Sequence, residues 1–384
     1  MNSSQIDQLI QERRIIVTCG TGGVGKTTLS ASLAIRAAVL GKRAVVITID
    51  PAKRLATSLG FDKRVGDAPA DITPHLQEAL KNHSEAAPGS LGKLHAIMPD
   101  TQGSFEKLVA QLAPNSALAQ SLMQNPIFEI FAREFSGANE YMALERLISL
   151  HNTGEYDTII LDTPPSRNTL AFLDAPQLLA RLFEEKLIQW LVVPTNQLFS
   201  IGIKKALGIL EKLTGSGFMT HLFAFGQALF DVRIKFLARL KDVTTLLQSQ
   251  DVGFILVTAS VPEAIPELQH FVDSVKDHGF HFDGLLINRT LGGLADDQSE
   301  WRSAGKSSEQ AKQLGRARQL LQALVEREKV SYDAFKPLLE GSRRLGGGSI
   351  LYEKLPELAR DIHSLEDLLY VAFALGRSSG ESGP

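Results

Sequence analysis

The sequence predicts an α/β fold: a doubly wound, mainly parallel sheet with an inserted α-helical subdomain. Three observations predict it. Short β-branched runs bounded by turn residues recur along the chain, which suits strands buried on both faces. These runs alternate with segments of helical spacing, so the strands need crossover connections and lie parallel. Two long stretches, residues 104–151 and 169–250, carry helical patterns with no strand of comparable quality.

The elements follow in order. Ile15-Ile16-Val17-Thr18 forms the first predicted strand and runs into glycines. From Lys26 to Leu40 alanines and leucines fall at helical spacing, and Gly41 ends the helix. Ala44-Val45-Val46-Ile47-Thr48-Ile49 then completes a βαβ unit. Leu94–Met98, Thr158–Leu161, Gly253–Thr258 and Phe282–Ile287 supply the remaining predicted strands. The core is therefore assigned to residues 1–103, 152–168 and 251–376, and the helical subdomain to 104–151 and 169–250. Twelve of the nineteen phenylalanines lie between Phe105 and Phe236. They either fill the subdomain's own core or form a face for a client or partner. Residues 292–312 are polar and read as a loop entering a helix, and residues 377–384 as a disordered tail.

Composition narrows the function classes. With 44% hydrophobic and 22% charged residues, the chain of 384 residues is globular rather than disordered or fibrous. Forty basic against 43 acidic residues give a net charge of −3, which excludes the basic excess of a general nucleic-acid binder. Cys19 is the single cysteine, so an internal disulfide and a multi-cysteine metal site are both excluded. No apolar run approaches the ~20 residues needed to cross a bilayer. The first residues, MNSSQIDQLIQERR, lack the charged-then-apolar order of a signal peptide, and a cytoplasmic location is the expectation.

The chemistry concentrates in Gly20-Thr21-Gly22-Gly23-Val24-Gly25-Lys26-Thr27-Thr28, which fits G-x-x-x-x-G-K-[ST] from Gly20 to Thr27. The glycines let backbone N–H groups turn toward phosphates, and the helix starting at Lys26 directs its positive end at them. In this pattern Lys26 reaches the β- and γ-phosphates and the Thr27 hydroxyl ligates Mg²⁺. Asp162 ends the strand Ile159-Ile160-Leu161, where a P-loop NTPase places its Mg²⁺-positioning acid. Asp50 ends the strand after the crossover helix, and ligands bind at the carboxyl ends of parallel strands. Either acid also suits a cap or a turn. Asp50 in particular fits the N-cap of a helix at Ala52 with Pro51 in its first turn.

Together these residues resemble the arsenical-pump and tail-anchored-protein-targeting ATPases, also called anion-transporting-type ATPases. Gly22 to Thr28 resembles their deviant P-loop, Asp50-Pro51-Ala52 with Leu55 their switch I, and Asp162-Thr163-Pro164-Pro165 their switch II. Ile287-Asn288-Arg289 is similar to the segment that reads adenine, and Pro262-Glu263 and Leu355-Pro356-Glu357-Leu358 to positions flanking the nucleotide. TIDPAKRLATSLG, FSGANEYMALERL and LDTPPSRNTLAFLDAP resemble stretches of bacterial members, and the likeness runs from Arg13 to Leu369. The resemblance implies ATP and Mg²⁺ as ligands, with Gly22, Gly23, Val24, Gly25, Lys26, Thr27 and Thr28 around the phosphates and Thr28 at the α-phosphate. It implies that Asp50 and Lys26 are catalytic, Asp50 by orienting or activating the attacking water. Asp162 would position Mg²⁺ through water, and Asn288 with Arg289 would bind adenine. It further implies a dimer facing across the nucleotides, with switch loops passing the γ-phosphate state to the helical subdomain. That subdomain would bind a protein client, and membrane-protein targeting is a role the resemblance admits.

The sequence departs from this pattern in three ways. The lysine that opens the deviant loop is Thr21 here, which supplies no cation across a dimer. Arg54 and Arg167, with Lys53, are candidate substitutes near the expected phosphates, or else solvated and ion-paired surface residues. A heterodimer with a lysine-bearing paralogue is the alternative, in which this chain is a weakly active nucleotide-binding subunit. The single cysteine leaves neither an inter-subunit zinc clasp nor a cysteine set for arsenite. Five methionines are few for a groove that adapts to many transmembrane segments.

Overall fold

A computed structural model describes residues 4–48, 59, 68–81, 83, 91–99, 107–108, 110–134, 138–163, 171–183, 217–291, 308–340, 350–358 and 361–377. Helix α1 (Gln5–Glu12) is capped by Ser4, whose hydroxyl accepts from the Asp7 N–H at 3.1 Å. It leads into β1 (Ile15–Cys19), α2 (Lys26–Val39), β2 (Arg43–Thr48), β3 (Ala70–Asp71), α3 (Thr73–Lys81) and β4 (Lys93–Ile97). Next come α4 (Ser116–Met123), α5 (Pro126–Glu134), α6 (Ala138–Thr153), β5 (Thr158–Asp162), α7 (Ala171–Leu182) and α8 (Phe218–Leu247). The last elements are β6 (Val252–Ala259), α9 (Ala264–Asp277), β7 (Phe282–Thr290), α10 (Ser308–Glu340), β8 (Leu351–Pro356) and α11 (Leu365–Gly376).

The backbone divides into two compact units. One comprises Met1–Met98, Ser149–Leu170 and Leu247–Pro384; the other comprises Pro99–Ile148 and Ala171–Leu246. In the first, the described residues form an eight-stranded sheet in the order β3-β4-β2-β5-β1-β6-β7-β8. Every neighbouring pair is parallel except β3 with β4. This is the mainly parallel α/β sheet that the sequence predicts. β1 and β5 are buried at every position, as apolar runs covered on both faces must be. The six predicted strands are present, and β7 runs on to Thr290.

Two strands lie outside the sequence expectation. β3 has two residues. β8 is an edge strand in which Leu351, Glu353 and Leu355 are buried while Lys354 and Pro356 are exposed. Its charged positions interrupt the apolar run by which interior strands are recognised, and such charges are usual at an edge. Part of that edge is closed by Gln5, whose Oε1 accepts from the Tyr352 N–H at 3.1 Å.

Register is what positions the functional end of the sheet. Asp162 on β5 stands opposite Thr18 of β1 on one side and Thr48 of β2 on the other. A slip of one residue would turn Asp162 to the opposite face. At the other end, Arg13 fixes the start of β1 by a bidentate pair with Asp283 (2.6 and 2.9 Å), and its remaining nitrogen donates to the Gln250 carbonyl.

The described secondary structure of the second unit is all helix. Phe128, Phe172, Phe183, Phe225 and Phe236 are buried, and Phe183 stacks on Phe236 at 4.4 Å between centroids. Arg239 pairs with Glu145 at 2.6 Å. These phenylalanines thus fill the unit's own interior, while Phe230 and Ile234 on α8 stay exposed, at 42% and 79%. No described helix is long and apolar enough to cross a membrane.

Candidate nucleotide site

Between β1 and α2 the chain makes the loop Gly20–Gly25, and two of its glycines are sterically required. A Cβ on Gly20 (φ 147°) would lie 2.1 Å from the Val257 carbonyl oxygen. One on Gly25 (φ 91°) would lie 2.3 Å from Asn288 Nδ2. Gly25 is also the N-cap of α2 and brings no side chain to cap it, so the positive end of the helix opens onto the loop. Gly22 and Gly23 are exposed at the mouth, and Thr27 and Thr28 are half-buried behind it. Lys26 is buried, and its Nζ donates to the Thr21 carbonyl at 2.9 Å. The cation is held within the loop.

Asp162 is the second part of the site. Its Oδ2 accepts from the Thr27 hydroxyl at 2.7 Å and from the Thr48 hydroxyl at 2.8 Å, and its Oδ1 from Ser30 at 3.3 Å. Burial pushes its carboxyl up to about 6, against the opposing pull of the Thr27 and Thr48 hydroxyls, the Lys26 charge and the Ser30 hydroxyl. Thr18 supports the cluster: it lies 2.6 Å from Ser30 Oγ, and its carbonyl accepts from the Thr163 hydroxyl at 2.8 Å. A buried carboxylate short of compensating charge, beside a hydroxyl in the first turn of α2, is an all-oxygen donor set that fits a hard divalent cation such as Mg²⁺. Cys19 ends β1 below the loop, and burial pushes its thiol up to about 12, which leaves it inert.

At the end of β7, Asn288 Nδ2 donates to the Val24 carbonyl at 2.9 Å. Arg289 follows with φ 60° and pairs with Glu357 at 3.7 Å. The structure therefore brings Lys26, Thr27, Asp162 and Asn288 around one loop. Asp50, Lys53, Arg54 and Arg167 lie outside the described residues, as do Pro164 and Pro165. Thr18, Ser30 and Thr48 join the site without having been singled out from the sequence. Their available signal was a hydroxyl closing, or packed beneath, an otherwise apolar strand.

Residues 13–327 match the sequence profile of the family described as Anion-transporting ATPase. The chain belongs to the anion-transporting ATPase family. Within that similarity it is 28% identical over 225 residues to ATPase asna-1 of Caenorhabditis elegans, covering 55% of this chain and 61% of that protein. It is 27% identical over 297 residues to ATPase ASNA1 homolog 1 of Paramecium tetraurelia, covering 77% and 79%. It is 30% identical over 162 residues to ATPase GET3 of Malassezia globosa, covering 42% of each. The chain thus spans less than two thirds of the nematode and Malassezia proteins.

Proposed function

We propose that this member of the anion-transporting ATPase family is a Mg²⁺-dependent ATP hydrolase. Its nucleotide state would pass through switch loops to the helical unit, where a protein client or partner binds. The observation that carries the reading is the contact of Thr27 with buried Asp162 directly beside a loop that holds Lys26. Its similarity to three ATPases supports the same chemistry.

Each residue then has a task. Lys26 leaves the Thr21 carbonyl for the β- and γ-phosphate oxygens, and the loop N–H groups hold the same oxygens. Thr28, beside Thr27, contacts the α-phosphate. Thr27 would ligate Mg²⁺ directly and Asp162 through water; when bound, the ion would neutralise charge on the β- and γ-phosphates. Asp50 orients the attacking water. Asn288 Oδ1 accepts from the 6-amino group of adenine, with Arg289 beside it. The reaction is in-line phosphoryl transfer to water, driven by positioning and electrostatics.

The working assembly is a dimer, either of two copies or with a paralogue. Thr21 favours the second arrangement as an alternative reading: a weakly active subunit completed by a partner that carries the missing lysine. Membrane-protein targeting is the cellular role in view. Phosphate release by the purified chain tests the central step. Asp50→Asn is expected to keep ATP binding and lose turnover; an unchanged rate would reduce Asp50 to a helix cap.

A further inference from the structure

We infer that Asn288 is a positioning residue for the phosphate-binding loop, clamping it through the side-chain amide, in addition to any contact with the base. The inference rests on the nucleotide-site reading above and assigns this residue a second task. A backbone carbonyl only accepts, so the amide atom 2.9 Å from the Val24 oxygen is the nitrogen, and one of the two N–H donors of Asn288 is engaged by the loop. The same nitrogen occupies the space that a Cβ on Gly25 would need. One amide therefore touches two consecutive residues, Val24 and Gly25, immediately before Lys26 and Thr27. The contact joins positions 264 residues apart, from the end of β7 to the loop.

The backbone that delivers Asn288 is strained. Arg289 is the one non-glycine residue with positive φ among the described residues. The pairing of β7 with β8 shifts register between Ile287 and Thr290, an irregularity of the kind that re-aims a side chain. The strained residue is braced from behind. The Thr290 carbonyl accepts from the Glu357 N–H at 2.9 Å. The Leu291 N–H donates to the buried Glu328 carboxylate at 2.9 and 3.1 Å. Strain of this type persists only where surrounding contacts enforce it, and here its product is an amide aimed at the loop. A residue that served the base alone would not need its donor on Val24. With the donor on the loop and Oδ1 left for an exocyclic amino group, base occupancy and phosphate-loop geometry are linked through one side chain.

Inorganic tripolyphosphate with Mg²⁺ tests this, because it has phosphates and no base. Its affinity and that of ATP are measured for wild type, Asn288→Ala and the near-isosteric, uncharged Asn288→Leu, which lacks the donor. Both variants are expected to lose about ten-fold in tripolyphosphate affinity, as for one neutral hydrogen bond to a preorganised loop, and more than that in ATP affinity. Loss confined to ATP would overturn the clamp and leave Asn288 a base reader. Hydrogen exchange on the nucleotide-free protein gives a second readout that needs no ligand. Amides of Val24 to Thr27 are expected to exchange several-fold faster in both variants while those of β1 are unchanged, and wild-type rates in the loop would overturn the clamp. If wild type binds neither ATP nor tripolyphosphate, the nucleotide reading itself fails, and the exchange rates still decide the clamp.

Discussion

Thr27 and Asp162, 135 residues apart, meet hydroxyl to carboxylate at 2.7 Å. The meeting is a product of sheet register. β5 lies between β1 and β2, so Asp162 emerges beneath the first turn of α2, with Thr48 at 2.8 Å on its other side. The carboxylate is fully covered, and three hydroxyls with the Lys26 charge nearby do not repay the loss of water around it.

Neutralising Asp162 should therefore stabilise the nucleotide-free protein. Its folded carboxyl is raised from 3.8 to about 6, so the fold binds a proton more tightly than the unfolded chain does. Stability from this group is fully present below about pH 4 and is lost as pH rises through about 6. Asp162→Asn is expected to raise the thermal midpoint at pH 8, by up to about 3 kcal/mol of unfolding free energy, and to match wild type near pH 4. Adding Mg²⁺ and ATP should reverse the order at pH 8. A variant less stable than wild type at pH 8 without ligand would contradict this account.

The two constrained glycines should fail differently. At Gly20 the obstacle is the backbone of β6, which cannot move aside. Gly20→Ala is expected to cost on the order of 2 kcal/mol or more, seen as a lower urea midpoint. At Gly25 the obstacle is the Asn288 side chain, which can withdraw. Gly25→Ala should cost less stability than Gly20→Ala, since only the φ of 91° remains strained once the amide withdraws, and should lose at least about ten-fold in ATP affinity by calorimetry through the displaced amide.

Arg13 should matter for folding and not for nucleotide chemistry. Asp283 is completely buried, and the Arg13 guanidinium grips both of its oxygens. Arg13→Ala strips the countercharge from a buried carboxylate and is expected to cost about 3–5 kcal/mol by urea unfolding. Adding Asp283→Asn should recover part of that loss. A single-variant cost below about 1 kcal/mol would show that the pair is not a structural anchor.

The interior of the sheet was legible in the sequence because β1, β2, β5 and β6 are apolar runs, the direct signature of strands covered on both faces. The glycine-rich turn between β1 and α2 was legible because its glycine and lysine spacing is set by backbone geometry within nine residues. β8 was not, since an edge strand alternates and carries charge. Ser30 and Thr48 were not, because their place beside Asp162 depends on which strands adjoin, and no local pattern records that order. Asn288 stood out at the end of its strand, but its bond to Val24 depends on the bend at Arg289, which a strand pattern does not reveal.

Thr21 sets the expected rate. With no lysine at this position, turnover by the isolated chain should be slow, since a missing arginine-finger-type charge costs ~10³–10⁵ in rate. Thr21→Lys is expected to accelerate phosphate release at least about ten-fold at protein concentrations that allow pairing. An unchanged rate, together with collapse of activity in Arg54→Ala or Arg167→Ala, would place the compensating cation in the switch segments instead.

Calorimetric titration of ATP with Mg²⁺ into wild type and Lys26→Ala tests the central claim most directly. Lys26 is the cation held inside the loop, and phosphate charge bound there without it is strongly unfavourable. Wild type is expected to bind one ATP per chain with Mg²⁺-dependent affinity, and Lys26→Ala to show no measurable heat at the same concentrations while keeping its thermal midpoint. Equal ATP affinity in the two proteins would contradict the account, because the loop from Gly20 to Thr27 would then not be the nucleotide site.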